Sequence, residues 1–214
     1  MRADARRNRD RIVEAASALF TERGPDAPME DIARRAGVGV GTLYRRFPDR
    51  TALHREVARD TAGRLRGLAE SAPGRTADAW EALRMFVRRA GAMGLGPLKP
   101  VVDPELNAAL RGDPELEAAE RDTFAAMDRL VAAARAEGSL RPDVADGDVL
   151  LLLGRLICAP GELPPALAEV APARMVAIML DGLRAADATA LPGSPITGAD
   201  LGVPGASERA RAQS

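Results

Sequence analysis

Apolar residues recur every three to four positions along most of the chain, which is the spacing typical of amphipathic α-helices. The first such segment covers residues 8–23, and Gly24 and Pro25 predict its end. Its apolar stripe consists of Ile12, Ala16, Leu19 and Phe20. No run alternates apolar and polar residues as a strand does, and no segment repeats. The pattern therefore predicts an all-α protein.

Glycine and proline divide the next part of the chain into three further helices. Residues 29–36 form a short helical pattern that stops at Gly37, and residues 40–46 form a second short segment. Asp49 is a favourable N-cap residue, so it predicts the start of a long helix over residues 49–71. We expect this helix to bridge the N-terminal and C-terminal parts of the chain.

The sequence Asp-Pro-Glu-Leu occurs twice, beginning at Asp103 and at Asp113. Aspartate is a common N-cap residue, and proline is favoured at the first helical position. The two motifs therefore predict helices over residues 103–111 and 113–137, and Gly138 closes the second of them.

The last two predicted helices, residues 146–159 and 172–187, carry apolar residues on more than one face. A helix that packs only on its own core needs a single apolar face. We therefore expect these two helices to meet a second apolar surface. The same two helices of a second copy of the chain would supply that surface in a homodimer.

The composition is typical of a globular protein: the chain has 214 residues, of which 46% are hydrophobic and 29% charged. No apolar run approaches the roughly 20 residues of a membrane helix, and the N-terminus lacks the apolar core of a signal peptide. We therefore expect a cytoplasmic protein without membrane contact. The single cysteine excludes an intramolecular disulfide and a cysteine-based metal cage, and we predict no cofactor. Residues 189–214 are rich in proline, glycine, serine and alanine, which predicts a disordered tail.

Positive charge is concentrated near the N-terminus, although the whole chain has a formal net charge of −1. Residues 1–59 contain 13 arginines and 9 acidic residues, so this part is positive and the remainder is negative. Such an asymmetry is expected when one end of a protein meets a polyanion.

The segment AGVGVGTLYRRFPDR, residues 36–50, has the form of a helix-turn-helix. Gly37 can adopt the left-handed conformation that ends a helix, and the small residues after it let the backbone approach a phosphate. The free N–H groups at a helix N-terminus also favour phosphate. Hydroxyl and guanidinium groups follow at once, and they suit the DNA backbone and the edges of bases in the major groove. They belong to Thr42, Tyr44, Arg45, Arg46 and Arg50.

Two motifs carry a resemblance to a known family. They are "I..AA..LF...G" in the first helix and "M.DIARRAGVGVGTLYRRFPDRTAL" from the second helix into the fourth. Residues 9–57, about a quarter of the chain, resemble the N-terminal DNA-binding domain of the TetR family of transcriptional regulators. The resemblance implies an all-helical homodimer that sets two recognition helices in successive major grooves of a near-palindromic operator. It also implies repression and a C-terminal domain whose ligand switches DNA affinity.

By position in these motifs, the recognition helix runs from Val40 to Arg46. The residues expected to contact DNA are Val40, Gly41, Thr42, Tyr44, Arg45 and Arg46. Arg50 stands where family members commonly have a phosphate-binding lysine. Members also often have a hydroxyl residue near Pro28 and a serine near Gly39, and this chain has neither.

Four further arginines, Arg6, Arg7, Arg9 and Arg11, precede the helix-turn-helix. They are candidates for an arm that reaches a phosphate or the minor groove. The alternative is that they are solvated surface residues.

The expected domains are a DNA-binding domain over residues 1–57, a helical regulatory and dimerisation domain over residues 58–188, and the tail. Methionine and aromatic side chains can line an adaptable apolar pocket for a small apolar ligand, but they also form ordinary cores. The candidate pocket residues are Trp80, Met85, Phe86, Met93, Phe124 and Met127. Arg88, Arg89 and Glu120 are candidate polar groups in such a pocket, and the sequence favours none of them.

Two other functional classes compete with a ligand-controlled regulator. An enzyme is not expected, because the chain has no P-loop, no paired-histidine metal motif and no nucleophile elbow. Its only histidine, His54, is expected to be an exposed helix residue. The second class is a DNA-binding dimer whose C-terminal domain only dimerises or binds a protein. A preformed apolar cavity between the helices near residues 80–130 would separate this class from a ligand receptor.

Overall fold

The computed structural model of the protein describes residues 2–93, 108–157, 165–186 and 188–203. The regular structure in these ranges is helical, apart from one isolated bridge between Leu140 and Arg184. The all-α fold class predicted from the sequence is confirmed. No helix within the described ranges is long and apolar enough to span a membrane.

The α-helices are α1 (Arg2–Arg23), α2 (Met29–Arg35), α3 (Val40–Arg46), α4 (Arg50–Ser71), α5 (Ala79–Ala92), α6 (Pro114–Ala136), α7 (Asp146–Ile157) and α8 (Pro165–Gly182). A short 3-10 turn at Pro73–Arg75 follows α4. The predicted helix over residues 103–111 lies mostly outside the described residues, of which 108–110 are helical.

The first three helices and the start of α4 enclose one apolar cluster, which we call the N-terminal core. Its largest fully buried side chains come from all four helices: Ile12, Ile32, Leu43, Leu53 and Val57. Burial of such side chains stabilises the fold by roughly 1.5–3 kcal/mol each relative to exposure. The amphipathic stripe of each helix thus fixes the helix-turn-helix on α1 and α4.

The second half of α4 joins a larger cluster, which we call the C-terminal core. Leu65 and Ala69 of α4 pack there with residues of α5, α6, α7 and α8. Between the two cores, Ala58 of α4 packs with Leu110 and Leu116. A single uninterrupted helix therefore contributes to both halves of the molecule.

Aspartate N-caps start three of these helices. Asp49 accepts a hydrogen bond from the backbone N of Ala52 at 2.7 Å, and Asp113 accepts one from the backbone N of Leu116 at 2.9 Å. Both caps are at the predicted positions, and each satisfies a backbone donor that the helix itself cannot pair. Asp78 caps α5 in the same way, although the sequence analysis did not single it out.

The first helix begins at Arg2, earlier than the predicted start at residue 8. Polar pairs one turn apart support the added turns: the guanidinium of Arg7 pairs with Asp4, and Arg11 Nη2 donates to Asn8 Oδ1 at 2.6 Å. Pairs at this spacing stabilise exposed helix without any apolar stripe. Apolar periodicity alone therefore placed the start too late.

The last helix covers Pro165–Gly182, so the predicted range of 172–187 is shifted toward the C-terminus. Pro172 lies inside the helix, where proline was expected only in the first turn. After Gly182 the backbone leaves the helix to pair with residues 139–141. Leu183 O accepts from Arg141 N at 3.1 Å, and Ala185 N donates to Ser139 O at 3.1 Å.

Residues 188–203 are held against α7 and the turn before it, in contrast to the disorder expected for residues 189–214. Val203 is buried in the C-terminal core, and Ala199 and Leu201 pack against that core. Amino-acid composition does not reveal this order, because backbone N–H and C=O groups, which nearly every residue has, make most of the hydrogen bonds that hold the segment. Residues 204–214 lie outside the described residues.

Candidate nucleic-acid interface

The turn between α2 and α3 is built as the sequence predicts. Ala36 N donates to Ile32 O at 2.9 Å, and Val38 N donates to Ala33 O at 3.0 Å, which closes the end of α2. Gly37 between them has a φ of +64°, in the left-handed region where a side chain is disfavoured. This geometry turns the chain directly into α3.

One side of α3 is anchored in the N-terminal core, and the other side faces solvent. Leu43 is completely buried and Phe47, just after the helix, is nearly so. Val40 and Tyr44, by contrast, remain 39% and 42% exposed. The four-residue spacing of each pair explains the division, because residues one turn apart share a helix face.

The polar residues of α3 lie on or beside the exposed side. Arg45 Nη2 donates to Thr42 Oγ1 at 2.9 Å, so these two side chains are held together at the surface. Arg46 is exposed and has no hydrogen bond or ion pair with any other described residue. The structure therefore brings the hydroxyl, phenol and guanidinium groups of the predicted site onto one short helix.

Neither helix of the motif has a side-chain cap. The N-cap residues Pro28 of α2 and Gly39 of α3 make no side-chain hydrogen bond to their helices. The hydroxyl residues that the family often has there would supply such bonds. Thr42 N already donates to Gly39 O at 2.8 Å, so the N–H groups of Val40 and Gly41 are the ones in this first turn that are available to another acceptor.

Arg50 is placed differently from the other predicted contacts. Its Nη1 donates to Ala27 O at 2.5 Å and to Pro25 O at 3.3 Å, and the residue is half-buried. The side chain thus holds the loop between α1 and α2 onto the start of α4.

His54, expected to be exposed, is buried and supports the same loop. Its ring stacks on Phe20 with 4.1 Å between the ring centroids, and Nε2 lies 3.0 Å from Pro25 O. Phe20 supplies an apolar contact for the buried ring, and the ring nitrogen shares the carbonyl of Pro25 with Arg50. The four-residue spacing of Arg50 and His54 on α4 was the sequence signal for this shared role.

The arginines of the first helix divide into paired and unpaired side chains. The guanidinium of Arg9 pairs with Glu56 of α4 and donates to Asp10 Oδ1 at 2.8 Å. Partial burial lowers the pKa of Arg9, but the charges of Glu56 and Asp10 outweigh it and raise the pKa overall. Arg11 extends to the turn, where Nη1 would lie 3.7 Å from a Cβ at Gly37. Arg6 is exposed and pairs with no described residue.

The six candidate pocket residues lie in or against the C-terminal core. Four of them are buried members of that cluster: Trp80, Phe86, Phe124 and Met127. Met85 and Met93 are only partly buried at its edge. A groove of about 380 Å³ lies nearby, between the end of α4, the start of α5 and α6, and none of the six residues lines it.

Glu120 on α6 is one of the candidate polar groups of the regulatory half. Burial raises the pKa of its carboxyl, and the negative charge of Glu117 adds to this effect. Among the described residues, no group of histidine, cysteine, aspartate and glutamate side chains is arranged to hold a metal ion.

Helices α7 and α8 expose a set of large apolar side chains. The set consists of Leu152 on α7 and Leu167, Val170, Met175 and Ile178 on α8. The most exposed of them is Ile178, with 66% of its surface accessible. The three- to five-residue intervals on α8 give one stripe along that helix.

Two sequence profiles match the two halves of the chain. The profile "Bacterial regulatory proteins, tetR family" matches residues 12–57. The profile "Transcriptional regulator SbtR-like, C-terminal domain" matches residues 78–185, about half of the chain. The matched parts are respectively the helix-turn-helix with its supporting helices and the helical C-terminal domain.

Solved structures show the same likeness over most of the chain. A TetR transcription regulatory protein from Mycobacterium vanbaalenii is 35% identical, with 86% of this chain and 98% of that chain covered and a TM-score of 0.56. The TetR transcriptional regulator SCO0520 from Streptomyces coelicolor is 33% identical, with 82% of this chain and 98% of that chain covered and a TM-score of 0.55.

A curated relative matches only the DNA-binding part. The HTH-type transcriptional regulator SAUSA300_2515 of Staphylococcus aureus (strain USA300) is 50% identical over 54 residues, which are 25% of this chain and 29% of that regulator. All of these relatives are transcriptional regulators and none is an enzyme. From both profiles and the full-length likeness, the chain belongs to the TetR family of DNA-binding transcriptional regulators.

Proposed function

We propose that the protein is a transcriptional repressor that acts in the cytoplasm as a homodimer on a near-palindromic operator. The observation that carries the proposal is the division of α3. Leu43 fixes the helix in the N-terminal core, whereas Tyr44 and Arg46 point away from that core. A short helix held in this way presents the same side chains to a major groove each time it docks.

The proposed DNA contacts are the residues of α3 together with the start of α4. Tyr44, Thr42 and the two arginines supply donors for base edges and phosphates, and Val40 and Gly41 allow close approach of the helix. Arg50 is also proposed to contact a phosphate, because family members commonly have a phosphate-binding lysine at this position. To make that contact its guanidinium would exchange the carbonyl groups of Pro25 and Ala27 for a phosphate oxygen.

The proposed dimer forms through α7 and α8. Their exposed apolar stripe, in which Ile178 is the most exposed side chain, is the kind of surface that a second copy covers in a four-helix interface. Two-fold symmetry of the dimer would require two half-sites in inverted order, which explains why a near-palindromic operator is expected. To dock in successive major grooves, the two copies of α3 would have to lie about 34–36 Å apart, one turn of DNA.

Operator affinity is proposed to depend on the position of α4. The helix packs in the N-terminal core through Leu53 and Val57, and in the C-terminal core through Leu65 and Ala69. A displacement of its C-terminal half would therefore move the helix-turn-helix and change the spacing of the two α3 helices.

A small apolar effector is the proposed cause of that displacement. Met85 and Met93 at the edge of the C-terminal core are flexible side chains that can move aside for a ligand, and Glu120 supplies a half-buried polar group. The alternative is a C-terminal domain that only dimerises or binds a protein, and the burial of Trp80 and Phe86 in a packed cluster favours it.

The testing experiment measures binding of the purified protein to the DNA that flanks its own coding region, at stated salt and with a scrambled duplex as control. Specific binding at nanomolar concentration supports the proposal. The variant Ile178→Asp should be monomeric and lose specific binding, while Arg88→Asp, on the exposed part of α5, should keep both. A screen of apolar compounds for release of the operator then separates the ligand receptor from the alternative.

A further inference from the structure

The segment 188–203, which we call the strap, extends past the C-terminal family profile, which ends at residue 185. It contains few large apolar residues, yet it follows a defined path along the start of α7. Its contacts are mainly hydrogen bonds between backbone groups of the strap and four charged side chains, those of Arg141, Asp143, Asp146 and Asp148.

In the first turn of α7, Asp148 pairs with both the backbone N–H and the backbone C=O of Ile196, in the middle of the strap. Asp148 N donates to Ile196 O at 3.1 Å, and Asp148 Oδ2 accepts from Ile196 N at 3.1 Å. The carboxylate of Asp146 accepts from Gly198 N at 3.2 Å. Carboxylates that accept backbone N–H groups make strong hydrogen bonds, because the acceptor is charged.

The beginning of the strap is tied to the end of α8. Arg141 is buried, and its guanidinium donates both to Gly182 O, in the last turn of α8, and to Thr189 O of the strap. Asp143 is paired with the same guanidinium and accepts from Leu191 N at 2.9 Å. One ion pair, between buried Arg141 and half-buried Asp143, thus joins α8 to the strap.

Gly147 shows how closely the strap lies on α7. A Cβ at this position would lie 2.6 Å from Ile196 O and 2.7 Å from the carbonyl C and O of Thr197. These are backbone atoms, which cannot rotate away as a flexible side chain can. Since Gly147 has an ordinary helical position and no positive φ, the strap is the described feature that requires glycine there.

We propose that the strap fixes α7 and α8 in the arrangement that the dimer requires, so that release of the strap weakens dimerisation. The inference rests on the proposed function in assigning the dimer to these helices. Its structural basis is that the strap binds the start of α7 directly and is joined to the end of α8 through Arg141, while Leu152 and Ile178 of the exposed stripe belong to the same two helices.

The test uses the full-length chain with Gly147→Ala, and Gly63→Ala as the matched control. Gly63 lies in α4, where an added Cβ has no neighbour within 4 Å. Alanine favours a helix over glycine, so helix propensity alone predicts that both substitutions raise the urea midpoint of unfolding. We expect Gly63→Ala to raise the midpoint and Gly147→Ala to lower it.

Two further readouts follow the strap and the dimer separately. In Gly147→Ala, the amides of Ile196 and Gly198 should lose protection against hydrogen exchange, and the dimer dissociation constant from sedimentation should rise by about tenfold or more. A chain that stops after residue 187 should show the same weaker dimer, whereas one that stops after residue 203 should match the full-length protein.

The proposal is overturned if Gly147→Ala raises the midpoint as Gly63→Ala does and leaves exchange at residues 196–198 unchanged. It is also overturned if the amides lose protection while the dimer dissociation constant stays the same. A wild-type chain that is monomeric at every concentration, with the strap amides protected, would instead contradict the dimer of the proposed function.

Discussion

Arg59 on α4 donates from Nη2 to Asp113 Oδ2 at 2.7 Å, and the same Asp113 carboxylate caps α6 by accepting from the backbone N of Leu116. One side chain therefore starts a helix of the C-terminal domain and holds the helix that continues into the DNA-binding domain. Partial burial raises the pKa of Asp113, but the hydrogen bonds from Leu116 and Arg59 outweigh it and leave the pKa lowered. Glu115 accepts from the same Arg59 at 2.7 Å.

Replacing Asp113 should separate its two roles. Asp113→Ala removes both the cap and the ion pair, and we expect it to lower the free energy of unfolding by about 1–2 kcal/mol. Asp113→Asn keeps a good N-cap and loses only the charge, so its loss should be less than about 1 kcal/mol. Urea unfolding measures both. Equal losses in the two variants would show that the cap contributes nothing.

Removing the exposed side chains of α3 should weaken DNA binding without affecting the fold. We expect Tyr44→Ala and Arg46→Ala each to cost about 1–3 kcal/mol of operator binding, because each removes a proposed donor to DNA. Arg64→Ala, an exposed arginine in the middle of α4, is the control for the loss of one charge. Fluorescence anisotropy gives the affinity and sedimentation the dimer. A variant that loses dimerisation would show that its side chain is not a DNA contact.

The arginines of α1 should differ in their effect on salt dependence. The logarithm of the DNA-binding constant falls with the logarithm of the salt concentration, and each phosphate contact adds about 0.9 to the steepness of this fall. If Arg6 and Arg11 contact phosphates, replacing either by alanine should make the slope less negative by about 0.9, for operator and scrambled DNA alike. Arg9 is paired with Glu56, so Arg9→Ala should lower stability and leave the slope unchanged. Slopes that stay the same in Arg6→Ala and Arg11→Ala would identify these two arginines as solvated surface residues.

Lowering the pH should remove the contribution of Asp143 to the free energy of unfolding. The hydrogen bonds from Arg141 and then from Leu191 N hold the pKa of this carboxyl well below its usual range. A lowered pKa in the folded state stabilises the protein above the unfolded pKa of about 3.9, and this contribution is lost as the pH falls toward the folded value. Wild type should therefore exceed Asp143→Asn in stability at pH 7, and the difference should shrink below about pH 4. A difference that does not vary with pH would contradict this account.

The helices were predictable where local chemistry decides them. Asp49 and Asp113 cap the helices that the sequence assigns to them, and Gly37 ends α2 with a left-handed residue. Tyr44, which the sequence analysis expects to contact DNA, lies at the surface. These features depend on neighbours within one turn, which a single sequence contains.

Features that depend on distant neighbours were missed. His54 has charged neighbours in sequence, which predicts exposure, but Phe20 and the carbonyl of Pro25 from another element bury it. The strap was assigned to disorder because its binding partners, Arg141 and Asp148, lie about 50 residues earlier in the chain. The part of α8 that precedes Pro172 was also not predicted, because proline normally indicates the start of a helix.

The continuity of α4 through both cores limits how this regulator can be recombined. A chimaera that exchanges DNA-binding domains at residue 57 would join the two proteins within α4, between Glu56 and Arg59, which form an ion pair. It would also separate Val57, which packs in the N-terminal core, from Ala58, which packs with Leu110 and Leu116. Exchange after Ser71, where the helix ends, keeps α4 whole and preserves its contacts with the N-terminal core, whereas its contacts with the C-terminal core would then join two different proteins. A hybrid regulator built from this protein should therefore carry the whole of α4 together with the helix-turn-helix, and the residues of α6 that contact α4 should be adapted to it.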